Sequence, residues 1–379
     1  MDGGTSDSID ILSNFEDFEY NWVVVCDSGW LNPAPDSGQT PGRFMISADS
    51  NVSGINRTAE ISIFIVGENQ PLTKLTVTQN SKHGLIQVGN YTPPYCSEAL
   101  FVEGNYAYMG GCMGGLIVVD IADSSHPFDY SWHTSECREK RIFKSDGYVY
   151  VAGIVNTNPI TSMVEIYDVS DPYHPAPRSR IDTDFTYGVA VSDNYLFLAD
   201  YDKLKIYNIS DPANPVSVTG ITTSGGTLAA AIYQDYLLFS EENTGIRIYD
   251  ISDPENPSPV GSYSLDGLVN DICISGHFAF LACYNNCIKI LNLDDPDNPV
   301  LIGEYLTDGE AYRICTDGNY LYVAVLANSV EMVDISDLTN PLAMASFCTP
   351  SQIYGVGTSN GFVYAIDREH GLFTLKYIP

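Results

Sequence analysis

The sequence predicts an all-β protein: a seven-bladed β-propeller of four-stranded blades, preceded by a small β-sandwich. Three observations predict it. Short apolar strings recur at Leu116–Asp120 (LIVVD), Val164–Asp168 (VEIYD), Leu204–Asn208 (LKIYN), Ile246–Asp250 (IRIYD), Ile288–Asn292 (IKILN) and Val330–Asp334 (VEMVD). Each runs into a turn closed by a proline. Those prolines, Pro127, Pro175, Pro215, Pro257, Pro299 and Pro341, are 48, 40, 42, 42 and 42 residues apart. Ahead of the strings stand seven pairs of aromatic or apolar residues at i and i+2, from Tyr106/Tyr108 to Phe362/Tyr364. A fixed period of this size, holding several short strands, marks a repeat array in which each repeat is one blade.

Within a repeat, strand a is apolar, as in Tyr187–Val191. A tight turn follows, such as Ser145-Asp146-Gly147 or Ser359-Asn360-Gly361, rich in residues that tolerate φ > 0. Strand b carries the i, i+2 pair, which spacing places on one face. Strand c is the LIVVD-like string. An SDPxNP-like turn comes next, where proline stops the ladder and Asp and Asn cap the backbone. Strand d, as in Val300–Tyr305, closes the unit. The seventh repeat ends after strand c, and Leu85–Tyr91 has the character of the missing strand d. From Leu85 to Pro379 is 295 residues, against 294 for seven repeats of 42. The N-terminal segment is therefore expected to complete the last blade and remove an open edge.

Residues 1–8 are expected to form a flexible tether, 9–81 the sandwich and 82–379 the propeller. In the sandwich region, Trp22–Cys26, Arg43–Ser47, Ala59–Val66 and Leu72–Gln79 read as short strands, the last two with polar/apolar alternation. Ser28-Gly29-Trp30-Leu31, Asn51, Arg57-Thr58-Ala59 and Thr76-Val77-Thr78-Gln79 together resemble the BACON domain. That resemblance implies an immunoglobulin-like module of secreted and surface bacterial proteins, associated with carbohydrate. The strand-c strings resemble the LVIVD-repeat family, Leu116–Asp120 being nearly its name. This implies a propeller of surface or secreted bacterial proteins and adds little about activity.

Composition narrows the partners. The chain carries 17 Lys and Arg against 48 Asp and Glu, a formal charge of −31. Such a field repels nucleic acid and anionic lipid. No apolar run reaches the length of about 18 residues needed for a membrane helix. The expected setting is extracellular or at the cell surface, with a lipid tether at a processed N-terminus as one mode of anchoring. A closed ring without a spare edge is expected to be a monomer. Nine cysteines match no zinc spacing. Cys273 and Cys315, 42 residues apart, and Cys283 and Cys287, flanking Tyr-Asn-Asn, read as small core residues.

In a four-stranded blade the d–a and b–c loops share one face, and the b–c loops vary between repeats. Binding is expected there. Counting eight residues back from the first aromatic of each pair aligns the start of strand a: Glu98, Lys140, Tyr187, Leu228, Asn270, Tyr312 and Tyr354. The next position holds Ala99, Arg141, Gly188, Ala229, Asp271, Arg313 and Gly355. Tyr187, Tyr312, Tyr354, Arg141, Arg313, Asp271 and Glu98 are the candidate ligand residues at the channel mouth. They combine stacking surfaces with charged hydrogen-bonding groups. The bland alternative is a channel plugged by the same side chains. Trp30 is a candidate sugar platform in the first domain. No cofactor is expected; calcium is the one ion the acidic b–c loops would suit, although no EF-hand-type ligand string occurs. No GxSxG, HExxH or phosphate loop appears. The favoured reading is a non-enzymatic binding protein whose ligand is a glycan or a surface protein segment. The alternative is a hydrolase or lyase using mouth carboxylates on a carbohydrate or lactone.

Overall fold

A computed structural model of the chain describes residues 6–11, 21–29, 31–39, 42–48, 57–79, 84–111, 115–133, 135, 137–155 and 161–379. Among them there are strands and turns and no helix. Among the described residues, therefore, no helix is long and apolar enough to cross a membrane. The chain divides into two compact units, residues 1–86 with 345–348 and 377–379, and residues 87–344 with 349–376.

The first unit is built on two sheets. One orders Ser6–Ile11, Gly42–Ala48 and Leu31–Ala34; the other orders Ser37–Gln39, Asn21–Cys26, Arg57–Ile65 and Thr73–Gln79. Alternation puts Trp22 and Val24, and Ala59, Ile61 and Ile63, on one face. With Leu31 and Ile46 from the other sheet they form a single core around Trp22, which is 1% exposed. Ser6–Ile11 pairs antiparallel with Gly42–Ser47, so strand structure begins inside the stretch expected to be a tether. Ile9 and Ile11, two apart, give that segment the period of a strand.

The second unit contains seven antiparallel sheets in chain order. Their innermost strands are Ser97–Glu103, Cys137–Ser145, Thr186–Ser192, Ala230–Tyr233, Val269–Ser275, Ala311–Asp317 and Ile353–Ser359. Each touches the next, and the seventh touches the first, closing the ring. In the third blade, strands b and c run together as Tyr195–Asn208. In the seventh, the fourth strand comes from Gly84–Tyr91.

Strand c is apolar on both faces because both faces are covered: Leu116, Ile117, Val118 and Val119 are fully buried between neighbouring blades. The a–b turns work as their composition requires. Gly104, Asp146, Asp193, Gln234, Gly276, Gly318 and Asn360, the first turn residue of each blade, all adopt φ between 46° and 58°.

The proline turns are built from side-chain caps. At the end of strand c, Asp168, Asn208, Asp250, Asn292 and Asp334 each accept a hydrogen bond from the backbone N–H two residues on. Three residues later, Asp171, Asp211, Asp253, Asp295 and Asp337 repeat the arrangement. Arg178, Ser170 Oγ and the Ser170 N–H together hold the Asp168 carboxyl down at about 2, against an ordinary value of 3.8. Its stabilising contribution is thus present above pH 3.8 and is lost as pH falls through about 2. NMR titration of the Asp168 carboxyl carbon should show a midpoint near 2, rising toward 3.8 in Arg178→Ala. An unchanged midpoint in that variant would assign the shift to Ser170 alone.

Blades meet through a repeated contact. A Cβ at Gly261 or Gly303 in strand d would lie 2.1 or 1.9 Å from a backbone oxygen in the next blade's proline turn, Pro296 O or Leu338 O. At the equivalent place in the second blade, Ser179 Oγ donates to Pro212 O at 2.6 Å. Gly89, on the strand supplied by the N-terminal segment, meets Ser124 O of the first blade in the same way, at 2.3 Å. The seam is lined by Ala107, Met109, Ile117 and Val119 against Tyr364, Ile366 and Leu372, a core like those between the other blades.

Candidate functional site

Strand a carries a β-bulge where the repeat alignment placed the candidates. Ala99 pairs with Gly110 and Ser97 with Gly111, so the ladder register skips Glu98. The same slip frees Lys140, Tyr187, Asn270, Tyr312 and Tyr354 from the a–b ladder. A bulge bends its strand and re-aims the extra side chain. Repeated around a ring, it presents these residues at one end of the central channel.

Four of the sequence candidates are paired with one another or with neighbours. Arg141 Nη2 donates to Asp271 Oδ1 at 2.6 Å, bridging the second blade to the fifth. Asp271 also accepts from the backbone N–H groups of Ile272 and Ile314, at 3.0 and 3.1 Å. Arg313 donates through Nη1 to the carbonyls of Asn270 and Tyr312, at 2.9 and 3.0 Å, and through Nη2 across the channel to Lys140 O at 3.2 Å. Its guanidinium lies over the Tyr312 ring, 4.3 Å from the centroid. Burial lowers the Arg313 pKa.

Glu98, the fourth, has a side chain with no solvent exposure. Arg138 Nε donates to it at 2.8 Å, Arg138 Nη2 and Lys140 Nζ also donate, and Arg368 Nε sits 3.1 Å away. Burial alone would raise the carboxyl. Hydrogen bonds from Arg138 and Lys140 outweigh it and hold Glu98 below its ordinary value. Burial also lowers Lys140, against the pull of Glu98.

The aromatic candidates fall into two groups. Tyr312 and Tyr354 meet edge to face at 5.2 Å, with Lys140 Nζ 5.9 Å from the Tyr354 centroid. Tyr187 stacks on Phe185 at 6.2 Å, and Phe185 leads to the exposed Tyr201 at 6.3 Å. All three candidate tyrosines are half-buried, leaving ring surface open to solvent. Trp30 lies outside the described residues.

Sequence reasoning missed Arg138 and Arg368, which hold Glu98 from positions outside the aligned pair. The available signal was local: Arg138, Lys140 and Arg141 make a basic run in a chain with only 17 Lys and Arg. With Arg313 and Arg368, five of those 17 gather here. They face the carboxylates of Glu98 and Asp271 and, at the edge, Glu310, to which Asn270 Nδ2 donates at 3.0 Å. Around these three carboxylates the immediate cluster holds five cations, while the b–c loops that surround it are acidic.

The acidic residues ending strand b serve the loops. Asp200, Glu241 and Asp367 are buried and accept from the d–a loop backbone at Phe185, Ser224 and Ser351, at 2.5, 2.5 and 2.7 Å. Cys283 and Cys287 are buried, free and directly opposed across a hairpin, whereas Cys273 and Cys315 are half-buried and line the channel. A further aromatic group lies on the outer strand of the first blade. Phe128 packs on Tyr130 at 4.7 Å, Tyr130 on Tyr173 at 4.1 Å, and Trp132 on Tyr95 at 5.2 Å.

Comparison with known proteins decides the family. The LVIVD repeat matches at residues 97–129, 186–223, 224–264, 266–307 and 308–349, just over half of the chain. The chain belongs to the LVIVD-repeat family. Residues 20–80 match BACON, described as "Putative binding domain, N-terminal". No curated protein matches the chain. Among solved structures, the LVIVD-repeat chain is similar to the computationally designed Ika8 protein. That likeness has a TM-score of 0.56 at 10% identity and covers 77% of this chain and 99% of the other. At this identity it speaks to fold alone.

Proposed function

We propose that this LVIVD-repeat protein is an exported, non-catalytic binding protein whose channel mouth takes an anionic glycan. One observation carries the reading. Three half-buried tyrosines, lifted onto the mouth by β-bulges, stand beside five cationic side chains in a chain of charge −31. Tyrosine rings offer flat apolar surface to sugar rings, and guanidinium groups offer paired donors to a carboxylate. The five clustered cations give an anion direct ion-pair partners within an otherwise acidic face. The match of residues 20–80 to a binding-domain family supports a binding role. Cys96 is disulfide-bonded, which supports an oxidising, extracellular setting.

Two of the three mouth carboxylates, Glu98 and Asp271, favour binding over acid catalysis, whereas burial raises the third, Glu310, above its ordinary value. Glu98 is held ionised by cations and Asp271 is occupied by Arg141 and two backbone amides. A general acid needs the opposite environment.

Titration of the full chain with an oligouronate tests the reading. Tyr312→Ala with Tyr354→Ala should weaken binding by about tenfold or more, about 1.4 kcal/mol, while the melting temperature moves little. Unchanged affinity with a large loss of stability would make the pair channel packing. A loss of binding in Trp132→Ala instead would move the site to the outer aromatic strip.

A further inference from the structure

On the a–b turn side of the Arg141–Asp271–Arg313 bridge, the channel is a cavity of about 520 Å³ to which all seven blades contribute. Its walls are apolar, with Leu100, Phe143, Val191, Ile232, Ile274 and Val356 among them. Phe143, Val191, Ile232 and Ile274 adjoin the a–b turns and are half-buried, so the cavity opens to solvent at that end. Its charged lining residues are Lys140, Arg141, Asp271 and Arg313, gathered at the other end.

Lys140 is engaged by Glu98, which leaves two guanidinium groups facing one carboxylate. A guanidinium has five N–H donors. Arg141 gives one to Asp271, and among the described residues its Nε and Nη1 donors meet no protein acceptor. Arg313 gives its bonds to carbonyl oxygens alone. A cation this enclosed, bonded to dipoles and sharing the Asp271 carboxylate with Arg141, gains when a second anion enters. An apolar cavity with a few convergent polar groups at one end, in the range of about 300–1,000 Å³, has the anatomy of a small-molecule site.

We infer that the channel is a second binding site, for an amphipathic carboxylate that enters from the a–b turns. The carboxylate meets the free donors of Arg141 and Arg313, and the apolar tail lies along the strand-a walls. The inference rests on the cavity alone and stands whether or not the mouth binds a glycan.

Isothermal titration of the full chain with decanoate, decanol and acetate tests it. Decanoate should bind saturably, one per chain, with decanol and acetate each at least about tenfold weaker. Ala231→Phe fills the channel away from the guanidinium groups and should cost decanoate at least about tenfold. Val191→Phe serves the same purpose should the first variant not fold. Absence of decanoate binding, equal affinity for decanol, or wild-type affinity in a folded, filled variant would each overturn the proposal.

Discussion

Gly89→Ala is expected to destabilise the propeller by about 2–3 kcal/mol, lowering its melting temperature by about 5 °C. The backbone at Gly89 is ordinary; the cost comes from the approach of Ser124 O, 2.3 Å from where the Cβ would be. A backbone atom in a proline turn cannot step aside as a flexible side chain can. The turn must shift, and with it Ser124, whose hydroxyl hydrogen-bonds Tyr364 OH at 3.1 Å in the seam core. The same argument applies at Gly261 and Gly303, where the contacts join consecutive blades. At Gly89 it joins the last blade to the first, so this substitution loads the closure itself. Gly104→Ala is the control. It forces a residue into φ +57°, but nothing lies within 4 Å of the new Cβ. The cost there should be about 1 kcal/mol. Equal effects of the two substitutions, measured by thermal unfolding of the full chain, would contradict a ring closed by packing at Ser124.

Asp271→Ala is expected to cost about 3–5 kcal/mol, the largest single effect at the mouth. Asp271 is 4% exposed and accepts three hydrogen bonds. Its removal leaves two backbone N–H groups unsatisfied. It also strips the counter-charge from Arg141, whose side chain is only 16% exposed, beside Arg313. Replacing the pair together, Asp271→Leu with Arg141→Met, removes both charges and should cost less than the single change. Chemical denaturation of the three variants measures this. A double variant no better than Asp271→Ala would show that the amide hydrogen bonds, rather than the ion pair, dominate.

The parts of this molecule written into short sequence were legible. The DPxNP turns, the left-handed residues at the a–b turns and the i, i+2 pairs are local, and the 42-residue period made them mutually confirming. The constant register also meant that counting back from the aromatic pairs reached the bulged residue of strand a. What those residues touch was not legible. Arg141 and Asp271 are 130 residues apart, and Arg313 and Lys140 are 173 apart; only ring closure brings them together. Arg138 and Arg368 lay outside the aligned positions, although they supply two of the three cations on Glu98. The channel was read from the side of its variable loops. Its open apolar end faces the regular a–b turns, which look purely structural in sequence. Residues 1–8 read as a tether on composition, and the pairing of Ser6–Ile11 with Gly42–Ser47 is a long-range fact that composition does not carry.

The central claim is that the cluster of five cations and three tyrosines at the mouth is a receptor for an anionic glycan. Its most direct measurement is a calorimetric titration of the full chain with an oligouronate and a neutral oligosaccharide of equal length, at low and high salt. The oligouronate should bind at least about tenfold more tightly, with an advantage that shrinks as salt screens the charges. Equal affinities at both salt concentrations, or no binding of either, would contradict the claim.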